Sequence, residues 1–192
     1  MSTLHIFDFD DTLVSSESKV YVTKASGEEL ALSSEDYAKY SPDQGDTQDF
    51  RDFDAYPQNP EIIEPVFAEL RSAIALDGPA SVVILTARAN PGPVRAFLDA
   101  NKISKIDIIT AGTSDPMAKA KYILGRVIKD SFDEVIVFED NVRNLRTIRK
   151  ELTPTGIKLK TNRVSNGRIS KMSESKRIRN KITSIIDKRK RL

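Results

Sequence analysis

Short apolar runs alternate with stretches of helical periodicity along most of this chain. Leu4-His5-Ile6-Phe7, Val82-Val83-Ile84-Leu85, residues 106–110 and Val135-Ile136-Val137-Phe138 are largely apolar or β-branched, the pattern of buried strands, and residues 157–161 read as a fifth strand. Between them the spacing predicts helices. One opens at Asn59-Pro60-Glu61, carries apolar residues at Ile63, Val66, Phe67, Leu70 and Ile74, and ends at Asp77-Gly78-Pro79. Others cover 93–101, 115 to about 129, and 141–152. The alternation implies an α/β fold, a doubly wound parallel sheet of Rossmann-like type with helices on both faces. Residues 20–32 read instead as a β-hairpin turning at Gly27. Residues 33–60 are polar and acidic and read as loop, with one helical turn near 34–40. The expected organisation is a core over 1–162, a small hairpin-and-loop insertion at 14–60 after the first strand, and a tail over 163–192.

Composition narrows the class. With 39% hydrophobic and 30% charged residues, the chain belongs with folded globular proteins. It has no apolar run long enough to cross a bilayer, and Met1-Ser2-Thr3 leads directly into a strand without a signal-peptide pattern. A cytoplasmic location without membrane partners is the expectation, and the absence of cysteine fits it. That absence excludes thiolate-bound zinc, and the single histidine, His5, excludes histidine-clustered metal sites; inside a strand, His5 reads as structural. The net charge of +2 hides an asymmetry: residues 158–192 carry 13 Lys and Arg against 2 acidic residues, so the remainder is acidic. In the tail, Ser173 reads as a helix cap, with Ile178, Ile182, Ile185 and Ile186 on one face. Such a helix can dock on the core, or present a basic face to a polyanion.

Chemistry concentrates at Asp8-Phe9-Asp10-Asp11-Thr12. Carboxylates two residues apart at the end of a strand point to the same side, and strand ends of a parallel sheet are where ligands bind. One carboxylate can attack phosphorus while the other handles the proton, and together they can hold Mg²⁺, which prefers hard oxygen ligands. A solvated acidic turn is the alternative, but packed carboxylates repel unless a cation neutralises them. Later strand ends add polar groups: Thr86 and Arg88 after the second, Glu139 and Asp140 after the fourth. Lys119 and Lys121 open the intervening helix, both at the edge of an apolar face read as Ala120, Leu124, Val127 and Ile128.

Across residues 3–152 this pattern resembles the haloacid dehalogenase-like superfamily of phosphohydrolases. Asp8, Asp10 and Thr12 match its D-x-D-x-T motif, Thr86 its strand-terminal hydroxyl, Lys119 or Lys121 its lysine, and Glu139-Asp140 its paired acids. The resemblance implies that Asp8 is the nucleophile and Asp10 the general acid and base. Thr86 would bond a phosphoryl oxygen, and Lys119, placed nearer the helix start, would balance charge. Asp8, Asp10 (through its carbonyl) and Asp140, with Glu139 beside them, would hold the Mg²⁺ cofactor. Thr12, Arg88 and Lys121 are the expected substrate-binding residues.

A phosphorylated substrate follows from this reading. The small insertion suits a large substrate or one presented as an end, and the basic tail suits nucleic acid. A phosphomonoesterase acting on a nucleic-acid end or nucleotide is therefore the leading expectation. A small-metabolite phosphatase and a non-catalytic nucleic-acid-binding protein on the same fold are the alternatives. Tyr37, Tyr40, Phe50, Phe53 and Tyr56 can stack on bases or pack the insertion against the core.

Overall fold

The structure, a computed structural model, describes residues 2–172. The expected tail helix from Ser173 onward lies outside the described residues. The strands are β1 (Thr3–Phe7), β2 (Val14–Ser15), β3 (Val20–Thr23), β4 (Glu29–Leu32), β5 (Thr47–Asp49), β6 (Glu61–Ile62), β7 (Val82–Thr86), β8 (Asp107–Thr110), β9 (Glu134–Glu139), β10 (Lys158–Ser165) and β11 (Arg168–Lys171). The helices are α1 (Ser34–Lys39), α2 (Glu64–Asp77), α3 (Gly92–Ala100), α4 (Pro116–Asp130) and α5 (Val142–Leu152).

A six-stranded sheet in the order β11-β10-β9-β1-β7-β8 organises the molecule. All neighbours in it are parallel except the β10–β11 pair. The pleat sorts each strand between two cores. Phe7, Val82, Ile84 and Phe138 face one cluster with Val66, Phe67 and Leu70 of α2 and Val94, Phe97 and Leu98 of α3. Leu4, Ile6, Val83, Leu85, Val135 and Val137 face the other, with Ala120 and Ile123 of α4 and Leu145, Ile148 and Leu152 of α5. The fold is thus a mixed α/β structure with helices on both faces of a mostly parallel sheet.

This order sets the functional geometry. The connections after β1 and β7 run over the α2–α3 face, whereas those after β8 and β9 run over the α4–α5 face. Neighbours β1 and β9 therefore lead to opposite faces, which opens a crevice at their carboxyl ends. Their register pairs Phe7 with Phe138, so Asp8 and Glu139 emerge side by side. Phe7 and Phe138 stack at 4.7 Å directly below.

The insertion is more structured than a hairpin and loop. β3 and β4 form the expected hairpin around Gly27, whose φ of 87° is the left-handed geometry that glycine tolerates. β5, inside the segment expected to be loop, adds to β3 and completes a three-stranded sheet. β2 and β6 pair where the chain enters and leaves the insertion. That pairing keeps Glu61 and Ile62 extended, so α2 begins at Glu64 rather than at residue 60, with Pro65 in its first turn. At the other end the sheet continues past residue 162 to Lys171, through a two-residue turn in which Asn166 and Gly167 both have positive φ.

Phe97 joins three aromatic contacts, to Phe9 at 5.4 Å, Phe67 at 6.4 Å and Tyr56 at 6.1 Å, and ties α3 to the loop after β1. Phe97→Ala is expected to lower stability by about 3–5 kcal/mol, read as a shift of the urea unfolding midpoint. A loss below about 1 kcal/mol would show that α3 packs independently of that loop.

Candidate active site

Asp8 continues the parity of Leu4 and Ile6 and so turns toward the face covered by α4. Lys119 lies one turn before buried Ile123 on α4 and points back at the sheet. Its Nζ donates to Asp8 Oδ1 at 2.6 Å and to Glu139 Oε2 at 2.8 Å. All three side chains are almost wholly buried. Glu139 is fixed further, since Oε1 accepts the backbone N–H of Asn141 at 3.2 Å. Lys121 is exposed on the opposite side of α4 and is not in contact with this ion triad. The apolar face of α4 runs through Ala120 and Ile123, whereas Ile128 is 72% exposed.

The loop after β1 is a tight reversal. Leu13 and Val14 both donate backbone N–H to the carbonyl of Phe9, and Asp11 adopts a φ of 56° while its N–H bonds the carbonyl of Val14. The fold buries Thr12 completely inside this reversal. Its hydroxyl accepts the N–H of Asp140 at 3.1 Å and lies 3.3 Å from Asp8 Oδ2 and 3.4 Å from Asp140 Oδ1. Thr12, expected to touch substrate, thus braces the two carboxylate-bearing loops against each other.

Asp10 takes a different partner. Arg88 Nε and Nη2 grip its two carboxylate oxygens at 2.9 and 2.8 Å, a bidentate pair. Arg88 Nη1 donates to the carbonyls of Phe53 and Ala55 in the insertion, at 2.7 and 3.1 Å. The guanidinium also lies over the rings of Phe9 and Phe53. Arg88, expected to bind substrate, lines the cleft above the carboxylates and also joins the β1 loop to the insertion, with only 4% of it exposed. Thr86 is fully buried, and its hydroxyl accepts the N–H of Arg88 at 3.2 Å. Neither Thr86 nor Thr12 lines the cleft above the carboxylates.

Carboxylate oxygens of Asp8, Glu139 and Asp140 lie within 4.8 Å of one another, close enough to hold a metal ion. Asp10, its carboxylate taken by Arg88, does not share this group. Burial and the charges of Glu139 and Asp8 push the Asp140 carboxyl up to about 9. Burial and Glu139 raise Asp8 to about 6 against the opposing pull of Lys119. Burial, with the charge of Asp10 adding to it, raises Asp11 to about 6. Burial also raises Asp10, with Arg88 opposing. Burial alone would lower Lys119, but the charges of Asp8 and Glu139 outweigh it and hold the ammonium above its usual range. The cluster thus holds more negative charge than its lysine neutralises, and its hard oxygen donors suit a divalent cation.

A cleft of about 1040 Å³ opens above this floor. Asp8, Asp10, Asp11, Lys119, Glu139 and Asp140 form its base. Tyr37, Tyr40, Phe50 and Phe53 of the insertion line one side, whereas sequence reasoning missed other walls: Gly112 to Pro116 before α4, Asn141, Arg143 and Asn144 opening α5, and Gln48 and Asp49. The Asp-Asn pair after β9 carried a signal for α5, since Asn141 caps that helix by accepting the N–H of Arg143.

Comparison of the chain with protein-family models, with curated proteins and with solved structures finds no match. The functional reading therefore rests on the residues and their geometry.

Lys119→Met keeps most of the apolar stem and removes the charge, leaving Asp8 and Glu139 without their common cation. It is expected to lower stability at pH 7 by about 3 kcal/mol, whereas Lys121→Met changes it by less than about 0.5 kcal/mol. The folded-state pKa of Asp8 already lies above its unfolded value and rises further without Lys119. The folded variant therefore takes up a proton as the pH falls through that value, and the deficit shrinks toward pH 5. Equal unfolding midpoints for the two variants at pH 7 would remove Lys119 from its central role.

Proposed function

We propose that this protein is a Mg²⁺-dependent phosphomonoester hydrolase of haloacid dehalogenase-like type, working through an aspartyl-phosphate. The observation that carries this reading is the convergence of Asp8, Glu139 and Asp140 around one buried lysine, at the crevice between β1 and β9. Nothing in folding requires three carboxylates to be buried together, and the raised pKa values of Asp8 and Asp140 mark a cost that a cation and an anionic substrate would relieve.

In this scheme an oxygen of Asp8 forms a bond to phosphorus as the ester P–O bond breaks, and the leaving oxygen takes its proton from Asp10. Asp10 then accepts a proton from water, whose oxygen attacks phosphorus. The bond to Asp8 breaks, phosphate leaves and the carboxylate is restored. Asp10 exchanges part of its Arg88 fork for the leaving-group oxygen in order to do this. Lys119 keeps Asp8 oriented and offsets charge that builds on the phosphoryl oxygens. Asp8 and Asp140 would hold Mg²⁺, with Glu139 behind them committed to Lys119 and the Asn141 amide. Bound there, the ion supplies Lewis-acid charge that offsets repulsion between carboxylate and phosphate.

Asp8→Asn is nearly isosteric and a poor nucleophile. It is expected to lower turnover at least about a thousandfold across nucleotides, phosphorylated oligonucleotides, sugar phosphates and phosphopeptides assayed with Mg²⁺, while the fold is retained. Turnover within tenfold of wild type would take the nucleophile role from Asp8.

Asp140→Asn tests the metal without using activity. The amide is nearly isosteric with a carboxyl whose ionisation its neighbours oppose, so the metal-free variant is expected to unfold at or above the wild-type temperature. Millimolar Mg²⁺ is expected to raise the unfolding temperature of the wild type and leave that of the variant in place. Equal Mg²⁺ shifts in both proteins would place the ion elsewhere.

A further inference from the structure

We infer that the cleft is built for a phosphomonoester whose leaving group carries a flat ring with polar edges, a nucleoside monophosphate either free or at a chain end; this rests on the hydrolase reading above. At about 1040 Å³ the cleft has room for a whole nucleotide above Asp8, far more than a phosphoryl group needs. One wall is aromatic. Tyr37, Phe50 and Phe53 line it, all three supplied by the insertion. Phe50 is 40% exposed, an uncovered apolar ring in a chain that buries most of its large side chains. Tyr37 meets it at 5.5 Å and 89°, so the two rings make a right-angled corner. A planar ring stacked on one of them meets the other edge to face. The Tyr37 hydroxyl donates to Gln48 Oε1 at 2.7 Å, which commits that oxygen and leaves the ring as the contact surface.

The remaining walls choose among flat leaving groups. Gln48, Thr113 and Asn144 bring amide and hydroxyl groups to the same cleft. A sugar phosphate has no face to stack. A phenyl ester such as phosphotyrosine has a face, but its ring has no hydrogen-bonding edge to offer these groups. A nucleobase supplies both a face and hydrogen-bonding edges. Placement follows from the insertion as well: Arg88 bonds Asp10 and the carbonyls of Phe53 and Ala55, so the aromatic wall is held at a fixed distance from the reacting carboxylates.

The test measures equilibrium binding by calorimetry with Mg²⁺ present, on the Asp8→Asn protein so that substrate survives. The probes are the 5′- and 3′-monophosphates of adenosine, ribose 5-phosphate and O-phosphotyrosine. The tighter-binding nucleotide is expected to exceed ribose 5-phosphate and phosphotyrosine by at least about tenfold. Adding Phe50→Ala is expected to bring the nucleotide-to-ribose-phosphate ratio near one, and Phe50→Trp to preserve it. A 5′-phosphorylated dinucleotide that binds tighter than the mononucleotide would assign the source to a polynucleotide end, and equal binding would assign it to the free nucleotide; both support the ring pocket. Equal affinities for nucleotide and ribose phosphate in the Phe50-containing protein overturn the inference, as does tighter binding of phosphotyrosine. Wild-type turnover separates the two readings. Nucleotide preference without hydrolysis of any probe sinks the hydrolase and keeps the pocket. Hydrolysis without preference does the reverse.

Discussion

The ion triad of Asp8, Lys119 and Glu139 is the constraint on which the site depends. Two parallel strands with matched register deliver two carboxylates to adjacent positions, where they repel. A buried lysine from the helix that crosses to the far face sits between them. Each part needs the others. Burial disfavours the charge of Lys119 and the two acids restore it, while Lys119 offsets the burial and repulsion that raise Asp8. The position of α4 against the sheet is therefore coupled to the electrostatics of the β1–β9 crevice.

A second tie extends outward from the first. Thr12 bridges the Asp8 and Asp140 loops, and Asp10, two residues before it, is gripped by Arg88. Arg88 in turn holds two carbonyls of the insertion and stacks over Phe53. The three-stranded insertion, joined to the core through the short β2–β6 pair, is thus anchored at two points. A side chain carrying four of these bonds can hold the insertion over the cleft without a large apolar interface.

Much of this was legible in the sequence, because apolar runs of a parallel sheet are continuous and their ends are marked by polar residues. β1, β7, β8 and β9, the four main helices and the convergence of Asp8, Glu139 and Asp140 follow from that pattern. The β10–β11 turn carried a readable Asn-Gly signal that the strand pattern of residues 157–161 alone did not use. Other features were not legible. Whether Lys119 or Lys121 faces the sheet turns on Ile123 rather than Ile128 as the core residue of α4, a choice that tertiary packing makes. The pairing of β5 with β3 joins polar segments with no alternating pattern. That Arg88 is spent on Asp10 and on backbone carbonyls depends on where the insertion folds back, which no local spacing encodes.

The charge distribution links stability to chemistry. The core spends its apolar residues on two faces of the sheet and leaves one edge, the carboxyl ends of β1 and β9, with five acidic side chains facing one cleft. Lys119 and Arg88 each engage some of them, and Asp140 and Asp11 remain pushed toward their neutral forms. A chain selected for stability alone would dilute such a cluster, since each buried unneutralised carboxylate costs free energy. Beside a cleft of this size the cluster leaves negative charge that Lys119 and Arg88 do not balance, on hard oxygen donors close enough together to share a bound cation.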